Sequence, residues 1–325
     1  QGYAGGALYE SRAQNCLLQG NYATNGGGAY WSYLTNCVIE SNTAIYGGGL
    51  YNGSAERCAV RGNTASNSGG GLFDGTARNT LIAGNTAGEG GGGCYFLNGG
   101  ALVSCTVGGN AANYAGGISY GSADNCVIYG NTASAAQTTA GRQNYFNATL
   151  NKTCTYPQPG SGSGNFTNDP VFAAAAQGDY RLATNSPCID AGTNLAWMAT
   201  ALDADGRPRI LHGYADMGAF EAVRPEWDTD SDRMKDWEEL IAGTNPSDSG
   251  SVFQASCAGV ETSPEILLSW SSATGRLYNI RRTTNLIGGS WMTLATNMPA
   301  TPAVNVWTDE NADAQTPGFY RVGVQ

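Results

Sequence analysis

The densest group of side chains able to do chemistry is Asp228-Thr229-Asp230-Ser231-Asp232-Arg233-Met234-Lys235-Asp236-Trp237-Glu238-Glu239, with acids at positions 1, 3, 5, 9 and 12 of a twelve-residue stretch. Oxygens at that spacing converge on a hard cation. Asp228, Asp230 and Asp232 supply carboxylates, Met234 a backbone carbonyl, Asp236 a further ligand and Glu239 a bidentate carboxylate. The chemistry expected is calcium binding, with the ion acting structurally to stiffen a junction between domains. Carboxylates this close repel one another without a cation, and the alternative is a solvated acidic linker. Position 6, where the sharp turn normally takes Gly, is Arg233, a residue that resists the backbone conformation needed there.

Elsewhere reactive groups are thin. His212 is the single histidine and has no recognisable partner for acid–base work. Residues 1–140 hold Glu10, Glu40, Glu56, Asp74, Glu89 and Asp124, and their bases are Arg12, Arg57, Arg61 and Arg78. Glycoside hydrolysis needs two positioned carboxylates, and lyase chemistry needs a base, usually with a cation. No acid pair recurs at a spacing that brings two carboxylates together on neighbouring coils, the nearest approach being Glu56 beneath Asp74 or Arg78. No catalytic residue is assigned. A net charge of −10 with few Lys or Arg excludes phosphate-backbone recognition, so no nucleic-acid partner is expected. No apolar run nears the roughly 18 residues of a membrane span. The nine cysteines leave at least one unpaired in a monomer. Cys154 and Cys188 are candidates for a disulfide that sequence alone does not decide.

The elements that carry these groups are repetitive. Asn15-Cys16-Leu17-Leu18-Gln19-Gly20-Asn21 recurs as Asn36-Cys37-Val38-Ile39-Glu40-Ser41-Asn42 and as Arg57-Cys58-Ala59-Val60-Arg61-Gly62-Asn63, and then from Asn79, Ser104 and Asn125. The Cys-type positions 16, 37, 58, 80, 105 and 126 are spaced by 21, 21, 22, 25 and 21 residues. A Gly block follows each, as in Gly26-Gly27-Gly28-Ala29-Tyr30 and Gly47-Gly48-Gly49-Leu50-Tyr51. A period of about 21 with apolar residues two apart is one turn of a parallel β-helix, whose coils must stack to bury their inward faces. The Cys column reads as small packing residues with free thiols, since Thr80 shares it, the alternative being some disulfides or a metal. The Asn column at 21, 42, 63, 85, 110 and 131 reads as a left-handed corner able to form an amide ladder. Tyr30, Tyr51, Phe73 and Tyr95 read as an outward aromatic stack that either packs across coils or offers a platform for sugars.

The fold class expected is all-β: a right-handed parallel β-helix of about six coils with a C-terminal cap, a short EF-hand-like calcium loop-helix, and a small β-sandwich. The boundaries are 1–140 for the coils, 141–222 for the final coils and cap, 223–250 for the acidic linker and 251–325 for the sandwich. In the cap Asp203, Asp205, Arg207, Asp216 and Glu221 read as a buried ion-pair network or, alternatively, a second calcium site.

Five short motifs occur in order: Asn168-Asp169-Pro170, Gly178-Asp179-Tyr180, Ser186-Pro187-Cys188-Ile189-Asp190-Ala191-Gly192, Asp203-Ala204-Asp205-Gly206-Arg207 and Asp216-Met217-Gly218-Ala219-Phe220-Glu221. This set resembles the bacterial choice-of-anchor Q proteins, and the coils resemble those of polymorphic-outer-membrane-type proteins. The acidic loop is similar to thrombospondin type 3 and dockerin-like calcium repeats, and residues 251–325 to fibronectin type III-like modules. The resemblance implies an extracellular or cell-surface location and carries no catalytic residues. The function expected is structural or adhesin-like, with a glycan or cell-surface component as partner. The alternatives are a polysaccharide-active enzyme and a non-catalytic glycan binder. The chain opens inside a repeat, so it reads as a piece of a longer protein, with an open first coil able to self-associate end to end.

Overall fold

The computed structural model describes residues 2–134, 143–211, 213–224, 226–259, 265–312 and 318–324. His212 lies outside them. The chain divides into two compact units, Gln1–Ala222 and Val223–Gln325.

The first unit is a parallel β-solenoid of about six turns. Two of its sheets have seven parallel strands and the third has twelve. The repeat dictates the register. In the sheet that begins with Leu17–Gln19, the middle residues Leu18, Ile39, Val60, Ile82, Val107 and Ile128 align one above the next. They point inward and form one apolar column of the core, joined by Leu34, Leu50, Leu72 and Leu102 from the twelve-stranded sheet. Where the period lengthens to 25, the extra residues leave the ladder after Phe96. That ring is folded into the core, and the Asp74 carboxylate accepts hydrogen bonds from Asn98 N (2.9 Å) and Asn98 Nδ2 (2.7 Å), holding the detour.

The corners need more than packing. Three of the Cys sulfurs accept the backbone N–H of the preceding coil's equivalent: Cys16 N to Cys37 Sγ, Cys37 N to Cys58 Sγ and Cys105 N to Cys126 Sγ, each at 3.4 Å. Thr80 does the same with its hydroxyl, taking Cys58 N at 3.2 Å and donating to Arg78 O at 2.8 Å. The column therefore selects side chains that are small and also accept one hydrogen bond, which is why Cys and Thr interchange. The Asn column is a continuous buried ladder in which each Nδ2 donates to the next Oδ1, and it runs on to Asn144. The left-handed corner expected at these asparagines falls one residue earlier, on Gly20, Ser41, Gly62, Gly84, Gly109 and Gly130. The reason is that the amide must face inward to reach its neighbours, so the preceding residue makes the turn.

In the Gly blocks the second glycine lies where coils touch. A Cβ on Gly70 would sit 2.3 Å from Gly92 O and 2.5 Å from Thr86 O, both fixed backbone atoms. Gly70→Ala is expected to destabilise the solenoid by roughly 3 kcal/mol or more, read by urea denaturation. Gly62→Asn, at a left-handed corner where an added Cβ would meet nothing within 4 Å, serves as the near-neutral control.

Residues 143–222 differ from a simple end cap. Tyr145–Phe146, Thr149–Asn151 and Cys154–Thr155 complete the last coil, and Ser163 and Phe166 lie on top of it through Lys152 N to Ser163 O (2.8 Å) and Thr155 N to Phe166 O (3.0 Å). The chain then folds back along the outside of the Leu17–Gln19 sheet. Tyr180 packs on Ala83 and against Gly108, Asn79 Nδ2 donates to Leu202 O (2.9 Å), Ala219 N to Thr106 Oγ1 (2.9 Å) and Thr193 N to Asn125 Oδ1 (2.8 Å). The outward positions change to suit. Gln19, Glu40 and Arg61 on the early coils give way to Ala83, Gly108 and Tyr129 beneath this flank.

The second unit holds the helix Asp236–Ala242 and two antiparallel three-stranded sheets packed as a β-sandwich. Leu268 and Trp270 from one sheet meet Tyr278 and Ile280 from the other in its core. Tyr320 donates its hydroxyl to Asp309 Oδ2 at 2.8 Å, tying the last strand to Val304–Asp309. No helix among the described residues is long and apolar enough to cross a membrane.

Candidate metal centre

The acidic loop is built by two left-handed residues, Ser231 (φ 64°) and Arg233 (φ 81°), which reverse the chain twice within a few residues. That curl turns Asp228, Asp230 and Asp232 to one side, with one ligand oxygen of each within 4.8 Å of the others. The loop's own N–H groups hold the curl. Asp232 N donates to Asp228 Oδ1 (3.2 Å), Arg233 N to Asp228 Oδ2 (3.0 Å) and Met234 N to Asp232 Oδ1 (2.7 Å). The helix Asp236–Ala242 follows at once and carries Glu239 within reach of the charges of Asp230 and Asp232.

Glu239 is fully buried, and neither carboxylate oxygen has a hydrogen-bond donor. Asp230 Oδ2 and Asp232 Oδ2 are likewise buried without a donor. Burial, and then the negative charges of Asp230 and Asp232, push the Glu239 carboxyl up to about 7. A buried carboxylate without a partner costs several kcal/mol, so a fold that gathers four such oxygens is suited to an oxygen-seeking cation. Asp236 is placed differently from its neighbours. Its two oxygens take the Thr229 N–H (2.8 Å) and the Thr229 hydroxyl (2.7 Å), which closes the loop onto the start of the helix. The structure thus brings together Asp228, Asp230 and Asp232 of the expected ligands, with Glu239 outside that cluster but near enough to feel the charges of Asp230 and Asp232. Met234 lies on the connecting backbone, and Asp236 is engaged with Thr229. The role of Thr229 was not expected from its position in the spacing pattern, although a Thr between two acids that faces a helix-start Asp is the signal for such a clasp.

The departure at position 6 has a measurable consequence. Arg233 holds the left-handed conformation that a Gly would adopt without strain. If the loop takes the calcium ion its spacing leads one to expect, Arg233→Gly is expected to tighten that binding by about 1 kcal/mol, roughly fivefold in affinity, read by titration calorimetry. An unchanged or weaker affinity would show that the strain is relieved elsewhere.

The cap cluster is arranged for a different purpose. Asp203 Oδ1 accepts Asp205 N (2.9 Å) and Arg207 N (2.7 Å), and Asp203 Oδ2 accepts Glu221 N (2.7 Å). Asp216 accepts Asp190 N and Ala222 N, each at 2.7 Å. Glu221 Oε1 accepts Asp216 N (3.0 Å) and lies 3.3 Å from the buried Arg209 guanidinium. These carboxylates staple irregular backbone that has no ladder of its own. Burial raises all three, and Asp216 is pushed up to about 7. The folded state therefore keeps a proton that the unfolded chain loses near pH 4. Stability is full below that pH and is lost as pH rises through about 7. The first unit is expected to melt several degrees lower at pH 8 than at pH 5, and Asp216→Asn to flatten that slope, both read by calorimetry.

Several of the solenoid's own charges are engaged. Glu40 pairs with Arg61 (2.7 Å) and Glu56 with Arg78 (3.0 Å), while Asp124 Oδ1 accepts from Asn151 Nδ2 (3.0 Å). The aromatic column stacks face to face from Tyr9 through Tyr30, Tyr51 and Phe73 to Tyr95, with ring centroids 5.0–5.4 Å apart. Its ring faces, the part a sugar would need, are covered by one another.

No family model matches the chain, and neither a curated protein nor a solved structure matches it.

Proposed function

We propose that this chain is a non-catalytic structural protein of the cell surface or extracellular space, a β-solenoid rod followed by a β-sandwich module whose loop–helix is locked by a structural calcium ion. The carrying observation is Glu239, buried with two unsatisfied oxygens beside Asp230 and Asp232. Met234 O and Asp228 complete the ligand set in this reading, and Asp236 clasps Thr229 as the loop closes. The engaged acids of the solenoid support a scaffold over a polysaccharide-cleaving enzyme. The five ordered motifs between Asn168 and Glu221 support a kinship with choice-of-anchor Q proteins and hence an adhesin-like role at a bacterial surface. Titration calorimetry on chelator-stripped protein tests the metal: saturable heat with one calcium per chain is expected, and its absence overturns the site. Activity on a panel of uronic and neutral polysaccharides, read by release of reducing ends, would overturn the non-catalytic assignment.

A further inference from the structure

Cys154 and Cys188 are both fully buried, and they share one apolar cluster with Val127 and Met217. Both side chains pack within that cluster, close enough for the Cys188 thiol to push that of Cys154 up. Cys154 belongs to the strand Cys154–Thr155 on the last coil, whereas Cys188 belongs to the segment that folds back along the solenoid flank. The contact therefore joins two parts of the first unit that the coil repeat does not hold together. Met217 N donates to Cys188 O and Cys154 Sγ to Asn168 O (3.2 Å), so backbone on both sides fixes the pair.

Other cysteines stand one above another, but their sulfurs are committed. Cys37, Cys58 and Cys126 each accept a buried backbone N–H from the coil before. A bond between two of them would pull sulfur away from that N–H and leave it without an acceptor, which is unfavourable. Neither Cys154 nor Cys188 accepts a backbone N–H at sulfur among the described hydrogen bonds. Cys94 is buried in the solenoid core, and Cys16 and Cys257 are exposed.

We propose that Cys154 and Cys188 are an oxidisable pair that forms a disulfide when the chain meets a disulfide oxidant. Each thiol gives up its proton, one thiolate attacks the oxidant's S–S bond and expels one of its thiolates, and the second protein thiolate attacks the protein sulfur of the resulting mixed disulfide and expels the other. One S–S bond forms in the protein, and the oxidant leaves as two thiols carrying the two electrons and two protons. The bond closes a loop of about 34 residues and pins the flank segment to the end of the solenoid, limiting the freedom of the unfolded chain.

The test uses the full chain in a buffer of oxidised and reduced glutathione, in two arms: the native protein, and protein refolded from denaturant in the same buffer so that burial cannot keep the oxidant out. Thiols are then alkylated under denaturing conditions and counted, and tryptic peptides are mapped. The expected result is seven alkylated cysteines of the nine, with one linked peptide joining Cys154 to Cys188 and a melting temperature several degrees above that of the reduced protein. Cys188→Ser should leave all eight remaining thiols free and abolish the redox dependence of melting. Nine free thiols in the refolded arm, a linkage among the column cysteines, or a redox-dependent melting temperature that persists in Cys188→Ser would each overturn the proposal.

Discussion

In metal-free buffer at pH 8, Glu239→Gln is expected to raise the melting temperature of the second unit and at the same time to abolish its response to calcium. The two effects have one origin. Without a cation the Glu239 carboxyl is held at about 7 by burial and by Asp230 and Asp232, well above its ordinary range. A group raised in this way contributes stability below its unfolded pKa and loses it as pH rises through 7, so at pH 8 the ionised form is a liability of roughly 2–3 kcal/mol. Gln removes that charge and keeps the shape. Under the proposed calcium site, the ion would pair with that same charge in the wild type. At about 100 times the dissociation constant the ion contributes about 2.7 kcal/mol, or roughly 10–20 °C in a unit of this size. The order expected by calorimetry at pH 8 is wild type without calcium lowest, Glu239→Gln above it and unmoved by calcium, and wild type with calcium highest. A Gln variant that still gains from calcium would remove Glu239 from the ligand set. A wild type that gains nothing would remove the site.

The second large effect belongs to the amide ladder. Asn85 Oδ1 accepts Asn63 N and Asn63 Nδ2, each at 2.9 Å, while Asn85 Nδ2 donates to Val60 O and Asn110 Oδ1, each also at 2.9 Å. All three asparagines are fully buried. Asn85→Ala leaves the Asn63 backbone N–H without its acceptor, breaks the amide chain on both sides and opens a void. Unsatisfied buried groups cost about 1–3 kcal/mol each, and the expected total is roughly 4–6 kcal/mol. In a solenoid each coil is stabilised only by its neighbours, so a central break should split urea unfolding of the first unit into two steps. Asn21→Ala, at the half-buried end of the same ladder, loses fewer partners and should cost about 1 kcal/mol. Equal losses at the two positions would show that the ladder does not act as a chain.

Much of this molecule is legible in its sequence because most of its contacts are repeated ones. Leu18, Ile39 and Val60 stand one above the other as their spacing requires, and Asn42 meets Asn63 at the separation at which the residues recur. The acidic loop is legible for a similar reason. Asp228, Asp230 and Asp232 lie within five residues, and local curl alone brings them together. The corner geometry was less so. The spacing marks the asparagines, yet the left-handed turn falls on the residue before each, because the amide's direction is set by the coil above it.

The sequence by itself therefore determined the solenoid, its register, its ladder and the clustering of the loop aspartates, since each follows from interactions between residues a fixed and short distance apart. Only the tertiary structure decided that residues after Phe166 run back over the flank, that Asn79 is met by Leu202 at a separation of 123 residues, and that Cys154 shares a cluster with Cys188. It also decided that Asp236 serves Thr229 while Glu239 stands buried and unsatisfied. Contacts of that kind depend on where an irregular segment finds a matching surface. The change from Gln19, Glu40 and Arg61 to Ala83, Gly108 and Tyr129 signals that a surface is covered, but it does not say by what.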